Sequence, residues 1–296
     1  MFLSMNTFSF SRKDRVVALS LLPEKEVIRL KLECVKKAQL QELALSLGVR
    51  HTGRTEHIIH AILSSEPDER IIDEFIKEKY RERIEERQRL ISDDELMSEL
   101  SKVTSFSWGV VQGDLDRKIQ REYVRKIAIY NELLDKVSTE LHSEITNYVI
   151  CTWFNHWTTV LIEEHIGSHP NVVPTLKSKK GIDLFFDGQP FDLKVTYLPR
   201  NYDPESAIED PMALAKWMYE NQGSQRFGDE NRLFVVLFDK SNPAESWKLK
   251  RDFVLVFKKI DNFLTSENVS ARDRIDFEYN HQRYSALSKI LIVTNE

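Results

Sequence analysis

Apolar residues return every three or four positions in two short stretches near the start of the chain. Val35, Leu40, Leu43, Ala44 and Leu47 form the first stripe, and Ile58, Ile59 and Ile62 form the second. That spacing gathers each set on one face of a short amphipathic helix. Gly48 stands where a helix C′ glycine belongs, Thr52-Gly53 makes the turn, and residues 55–63 give the second helix. Glu66, Pro67 and Asp68 break the unit. Over 68–99 the apolar pattern thins to Ile71, Ile72, Phe75, Ile76, Tyr80, Ile84, Leu90 and Ile91 in a mostly charged sequence. This predicts a long, largely solvated helix that connects domains; a lever, or half of a dimer contact, is the alternative use.

Beyond residue 115 the chain becomes richer in aromatic and β-branched residues. A long helix or helix pair is predicted over 116–166. In its last part, Thr152, His156, Thr159 and Glu163 form a polar stripe, beside an apolar stripe of Trp153, Trp157, Val160 and Leu161. Strands follow near 182–186 and 190–196. A helix is predicted over 211–221, where Asp210 caps and Pro211 occupies the first turn. The run 233–239, LFVVLFD, has the continuous apolar character of a strand buried on both faces. Residues 253–257 and 290–293 are further strand candidates. Helices alternating with strands predict an α/β fold, divided by composition at 21–66, 67–114 and 115–296.

The stretch 181–196, GIDLFFDGQPFDLKVT, is strand-like but interrupted by Asp183, Asp192 and Lys194. Asp187-Gly188 is a strong signal for a two-residue hairpin turn. With that loop, Phe186 pairs with Gln189, Phe185 with Pro190 and Leu184 with Phe191, which sets Asp183 opposite Asp192. Directly opposed side chains lie with Cβ atoms roughly 4.5–5.5 Å apart, so the two carboxylates repel unless a cation lies between them. Lys194 falls on the same face, one pleat along, and Phe191, Leu193 and Val195 face the other way. Hard carboxylate oxygens suit Mg²⁺, with Mn²⁺ as a substitute, and a neighbouring lysine can hold a water and offset charge on a phosphate. The plainer alternative is a surface hairpin whose polar face is simply wet.

The bulk composition narrows the classes. The 296 residues are 41% hydrophobic and 30% charged, enough for a sizeable core, and the formal net charge of −5 excludes a uniformly basic surface but not a local basic groove. Two cysteines, Cys34 and Cys151, exclude a disulfide framework and fit a reducing, cytoplasmic setting. No signal peptide or membrane span is expected. Nucleotide-binding glycine loops and the G-x-S-x-G elbow are missing. His57 and His60 lack partners at metal-ligand spacing.

Asp183, eight residues, then Asp192-Leu193-Lys194 resembles the signature of the PD-(D/E)XK nuclease superfamily, with Ile182 in place of the proline. The resemblance covers roughly 140–296. It implies a restriction-endonuclease-like core, a central mixed sheet flanked by helices in the order αβββαβ, preceded here by a small helical domain and a long charged helix. It also implies Mg²⁺-dependent hydrolysis of nucleic-acid phosphodiesters, with Asp183 and Asp192 as metal ligands and Lys194 positioning the nucleophile. The helix carboxylate of such sites is assigned first to Glu163, second to Glu164.

Residues 35–63 resemble a SAP module, a helix-turn-helix DNA-binding unit, with Lys36, Lys37, Arg50 and Arg54 as phosphate contacts. A plain helical hairpin is the alternative. Lys177, Lys179 and Lys180 precede Asp183 and either hold the DNA backbone or solubilise a loop. Gln222, Gln225, Arg226, Asn231 and Arg232 have side chains suited to reading base edges or gripping phosphates. The expectation is a Mg²⁺-dependent endonuclease of the restriction or anti-phage type acting on double-stranded DNA as a homodimer, since cutting both strands needs two sites. A structure-specific repair or recombination nuclease, and a catalytically inert DNA-binding protein of the same fold, are the alternatives.

Overall fold

The computed structural model describes residues 21–50, 53–106, 112–223 and 227–295, which form two compact units. One comprises the described residues up to 89 together with those from 163 onward; the other runs from 90 to 162.

The first unit is mixed α/β. Among the described residues four helices come first: α1 (Glu24–Glu33), α2 (Lys37–Ser46), α3 (Thr55–Ser64) and α4 (Glu69–Gln88). After α8 (His142–Ser168), which enters from the other unit, come β1 (Val172–Lys179), β2 (Ile182–Phe186) and β3 (Gln189–Tyr197). Then follow α9 (Pro204–Glu209), α10 (Pro211–Glu220), β4 (Arg232–Phe238), a 3₁₀ helix (Pro243–Arg251), α11 (Phe253–Ser266), β5 (Arg274–Tyr279) and β6 (Gln282–Thr294). The six strands among the described residues form one mixed sheet in the order β1-β2-β3-β4-β6-β5. β1, β2 and β3 make an antiparallel meander, β4 lies parallel to β3 and to β6, and β5 closes the far edge antiparallel to β6.

Period-two alternation assigns the two faces of the hairpin to different helices. Phe185 joins a core with Leu30, Leu43, Ile62 and Ile76 of the first four helices, while Phe186 stacks on Phe263 of α11, ring centroids 6.4 Å apart. The hairpin is therefore apolar on both faces near its turn, and Asp183, Asp192 and Lys194 lie beyond that apolar part. On the other half of the sheet, Leu214, Ala215 and Tyr219 of α10 pack with Phe234 and Val236 of β4 and with Ile275, Phe277 and Ala286.

The compact units cut across the boundaries drawn from composition. The charged helix α4 buries its stripe of Ile72, Ile76 and Tyr80 in the same core as Val173, Leu176 and Ile182 of the sheet, and leaves Ile71 exposed. Lys31 is buried between Glu69 (2.7 Å) and Asp73 (2.5 Å), locking α1 to α4. The high charge of α4 thus covers one side of a helix whose other side is core.

Gly48 has a φ of +68°, as its place after α2 requires. Asp210 caps α10 by accepting from the Ala213 N–H at 3.0 Å, and every residue of β4 is buried. The run at 253–257 is helical, not extended. Asp252 caps it, and Phe253, Val256, Ile260 and Leu264 form a buried stripe of helical period. β1 and β5 carry no clear strand pattern in the sequence, and β6 is much longer than its apolar centre at 290–293.

The second unit holds α5 (Asp93–Ser101), α6 (Gln112–Lys118), α7 (Tyr130–Lys136), two π-helical segments (Ile119–Val124 and Val137–Leu141) and most of α8. Leu96, Leu100, Tyr123, Leu141, Cys151 and Phe154 are buried, and Phe106 meets Phe154 edge-on at 5.6 Å. The buried side of α8 runs through Cys151, Phe154, Thr158 and Leu161, leaving Trp153 exposed. Thr158 is accommodated there because its hydroxyl donates to the Phe154 carbonyl at 2.7 Å.

Candidate active site

The site begins with the turn. Asp187 and Gly188 have φ of +47° and +71°, the pair of positive values that a type I′ loop demands. The observed pairs are Phe186 with Gln189, Phe185 with Pro190 and Leu184 with Phe191, the register read from the turn. One residue further on, the Asp183 carboxylate accepts a hydrogen bond from the Leu193 N–H at 2.9 Å. Asp192 accepts from Lys194 Nζ at 2.8 Å through one oxygen and from Arg232 Nε at 3.2 Å through the other. Arg232 is the residue paired with Asp192 across the parallel β3–β4 ladder.

The end of α8 brings the third carboxylate. Glu163 and Asp183 line one pocket of about 210 Å³, together with Tyr80 and Arg83 of α4 and Lys177 of β1. The buried Tyr80 hydroxyl donates to the Glu163 carbonyl at 3.2 Å. This approach of α4 to α8 depends on Gly167, where an added Cβ would lie 2.6 Å from the Tyr80 oxygen. Glu164 is tied to Arg87 in an ion pair with both side chains largely buried. The geometry thus turns Glu163, not Glu164, to the pocket.

The electrostatics follow from this crowding. Glu163 and Asp183 are exposed as whole residues, yet desolvation is the main influence raising both carboxyl pKa values. The negative charge of Asp183 adds to the rise at Glu163; at Asp183 the Leu193 N–H opposes the rise and the charge of Asp192 adds to it. Lys250, on the 3₁₀ helix, is buried, and desolvation pushes its ammonium down to about 8 against the attraction of Glu163.

No family model, curated protein or solved structure matches this chain.

The donor set can be tested against a divalent cation directly. Among the described residues no group of three His, Cys, Asp or Glu side chains converges at metal-ligand spacing. Asp192 is occupied by its two cations. Glu163 and Asp183 nevertheless offer hard oxygens to one pocket with raised proton affinity, and Mg²⁺ ordinarily takes one or two carboxylates and keeps several waters. That pair fits such an ion.

The remaining sequence-derived candidates divide. Lys177 lines the pocket, whereas Lys179 pairs with Glu33 and Lys180 reaches towards Glu230 at 3.8 Å. Gln222 is consumed in bracing its loop: it donates to the Tyr219 and Gly228 carbonyls and accepts from the Gly228 N–H and from Arg232. Asn231 is buried, donating to the Pro190 carbonyl at 3.1 Å and accepting from the Leu287 N–H at 2.9 Å. Arg232 is buried too, its guanidinium 4.9 Å from the Tyr219 ring centre. These three hold the sheet and Asp192, which corrects their assignment to base reading; sequence pattern cannot tell a polar side chain bonded inward from one facing DNA. Gln225, Arg226 and Thr52 lie outside the described residues. Lys36, Lys37, Arg50 and Arg54 are all exposed.

Arg83 and Lys250 were missed by pattern. Arg83 sits in a charge run that reads as a solvated face, and Lys250 among Lys248 and Arg251 in a short polar segment. Among the described residues no helix is long and apolar enough to cross a membrane.

Proposed function

We propose that this protein is a Mg²⁺-dependent endonuclease that hydrolyses DNA phosphodiester bonds. The reading rests chiefly on one observation: Glu163 and Asp183 share a pocket wall, and the Asp183 strand is hydrogen-bonded to the strand carrying Asp192 and Lys194. The succession of α8, the β1–β3 meander, α9 and α10, and a parallel β4 supports this reading, since the PD-(D/E)XK resemblance implies an αβββαβ order. A restriction or defence role, with a homodimer to cut both strands, is the simplest form of the proposal.

Glu163 and Asp183 would hold the ion. Mg²⁺ bound there supplies polarisation of a phosphoryl oxygen and a water of lowered pKa. Asp192 holds Lys194 Nζ at 2.8 Å through one oxygen and Arg232 binds its other oxygen, so the ammonium is pre-oriented. Lys194 then positions the attacking water and offsets charge growing on the phosphate. Ionised Asp183 is also kept in place by the Leu193 N–H.

A second reading, a DNA-binding protein without catalysis, draws on the double engagement of Asp192 by Lys194 and Arg232. A mixed panel of plasmid, phage, branched DNA and RNA with Mg²⁺ or EDTA separates the possibilities. Discrete fragments that require Mg²⁺ are expected. A smear would indicate general nuclease activity, cleavage confined to branched DNA a repair enzyme, and binding without cutting the inert module.

A further inference from the structure

We infer that Arg83 and Lys177 grip the scissile phosphate, so that the N-terminal helical region completes the active site itself. This deepens the nuclease reading and rests on it. Arg83 belongs to α4, eighty residues before the nearest site carboxylate in sequence, yet it lines the same pocket as Glu163 and Asp183. Its position is set by two contacts. The guanidinium carbon lies 4.4 Å from the Tyr80 ring centre, and Nη1 donates to the Thr175 carbonyl at 3.5 Å. Tyr80 in turn bonds the backbone of Glu163. One buried aromatic ring therefore registers both the cation and a carboxylate of the site.

A guanidinium has five N–H donors in a planar fork, of which Nη1 reaches the Thr175 carbonyl. The fork matches the oxygens of a phosphate, where a lysine offers only a point charge. Lys177, exposed on the neighbouring strand β1, supplies such a charge beside it. With about 30 Å³ as one water's share of liquid, a pocket of about 210 Å³ admits a phosphodiester group along with waters. The pocket thus joins two carboxyls for a cation with two cations for an anion. That combination suits a metal-bridged phosphate and makes little sense for an apolar ligand.

The test uses the full chain as wild type, Arg83→Ala, Arg83→Lys and Lys177→Ala, with circular dichroism to show that each is folded. Two readouts are taken: cleavage of plasmid in Mg²⁺, and the salt dependence of binding to a short duplex in EDTA. Arg83→Ala is expected to cut about 10²-fold more slowly and to bind with a salt slope smaller by about one. Arg83→Lys should restore the slope but only part of the rate, and Lys177→Ala should lower both by less. Equal cleavage and an equal slope in Arg83→Ala would overturn the inference. If the wild type cuts nothing, the nuclease reading fails instead; the slope then decides the grip by itself, and an unchanged slope in Arg83→Ala overturns it.

Discussion

Lys194→Ala is expected to cleave DNA about 10²–10³-fold more slowly in Mg²⁺ while binding duplex DNA within a few-fold of the wild type. The separation between the two effects follows from where the ammonium sits. Its side chain is 47% exposed, and Asp192 is its ion-pair partner at 2.8 Å. Exposed pairs of this kind contribute about 0–1 kcal/mol, so the variant should unfold close to the wild-type midpoint. Removing one cation among several leaves most of the phosphate attraction intact, whereas the chemistry loses the group that orients water. Plasmid cleavage and duplex binding measured on the same preparations check both halves. Unchanged cleavage would remove Lys194 from the mechanism, and a parallel loss of binding would make it a DNA contact only.

Deleting the first 89 residues is expected to prevent the remaining chain from folding. The composition of that segment suggests a detachable module, but its helices supply one side of the core that covers β1 and β2. Without them Val173, Leu176, Ile182 and Phe185 face water. At roughly 1.5–3 kcal/mol for each large side chain left exposed, the loss is of the order of the whole stability of a domain. The point variant Phe185→Ala samples the same core more gently and should cost about 3–5 kcal/mol in urea unfolding. A truncated protein with a cooperative unfolding transition and native sheet content would contradict the shared core.

The hairpin could be read from sequence because two local signals agree there. Asp187-Gly188 fixes the loop, and the apolar residues around it permit only one register. β4 and α10 were legible for similar reasons, an unbroken apolar run in one and an Asp-Pro start in the other. β1 was not, since VVPTLKSK mixes a proline and two lysines into an edge strand, where such residues are tolerated. RIDFEY, at the opposite edge, hides behind its charges in the same way. FVLVF misled because five apolar residues in a row satisfy either period, and only the later Ile260 and Leu264 reveal the helix. Asp183, Asp192 and Lys194 lie close in sequence, so one short pattern reaches all three. Arg83 and Lys250 come from distant elements that only the folded chain brings near Glu163.

We propose above all that Glu163 and Asp183 form a divalent-cation site. Isothermal titration of the metal-free protein with Mg²⁺ and Mn²⁺, beside Asp183→Asn and Glu163→Gln, addresses it most directly. The wild type is expected to show a site that either substitution removes. Its affinity should fall as pH is lowered, because both carboxyls hold their protons above the ordinary range and those protons compete with the metal. Binding that is missing in the wild type, or that persists unchanged in both variants, would contradict it.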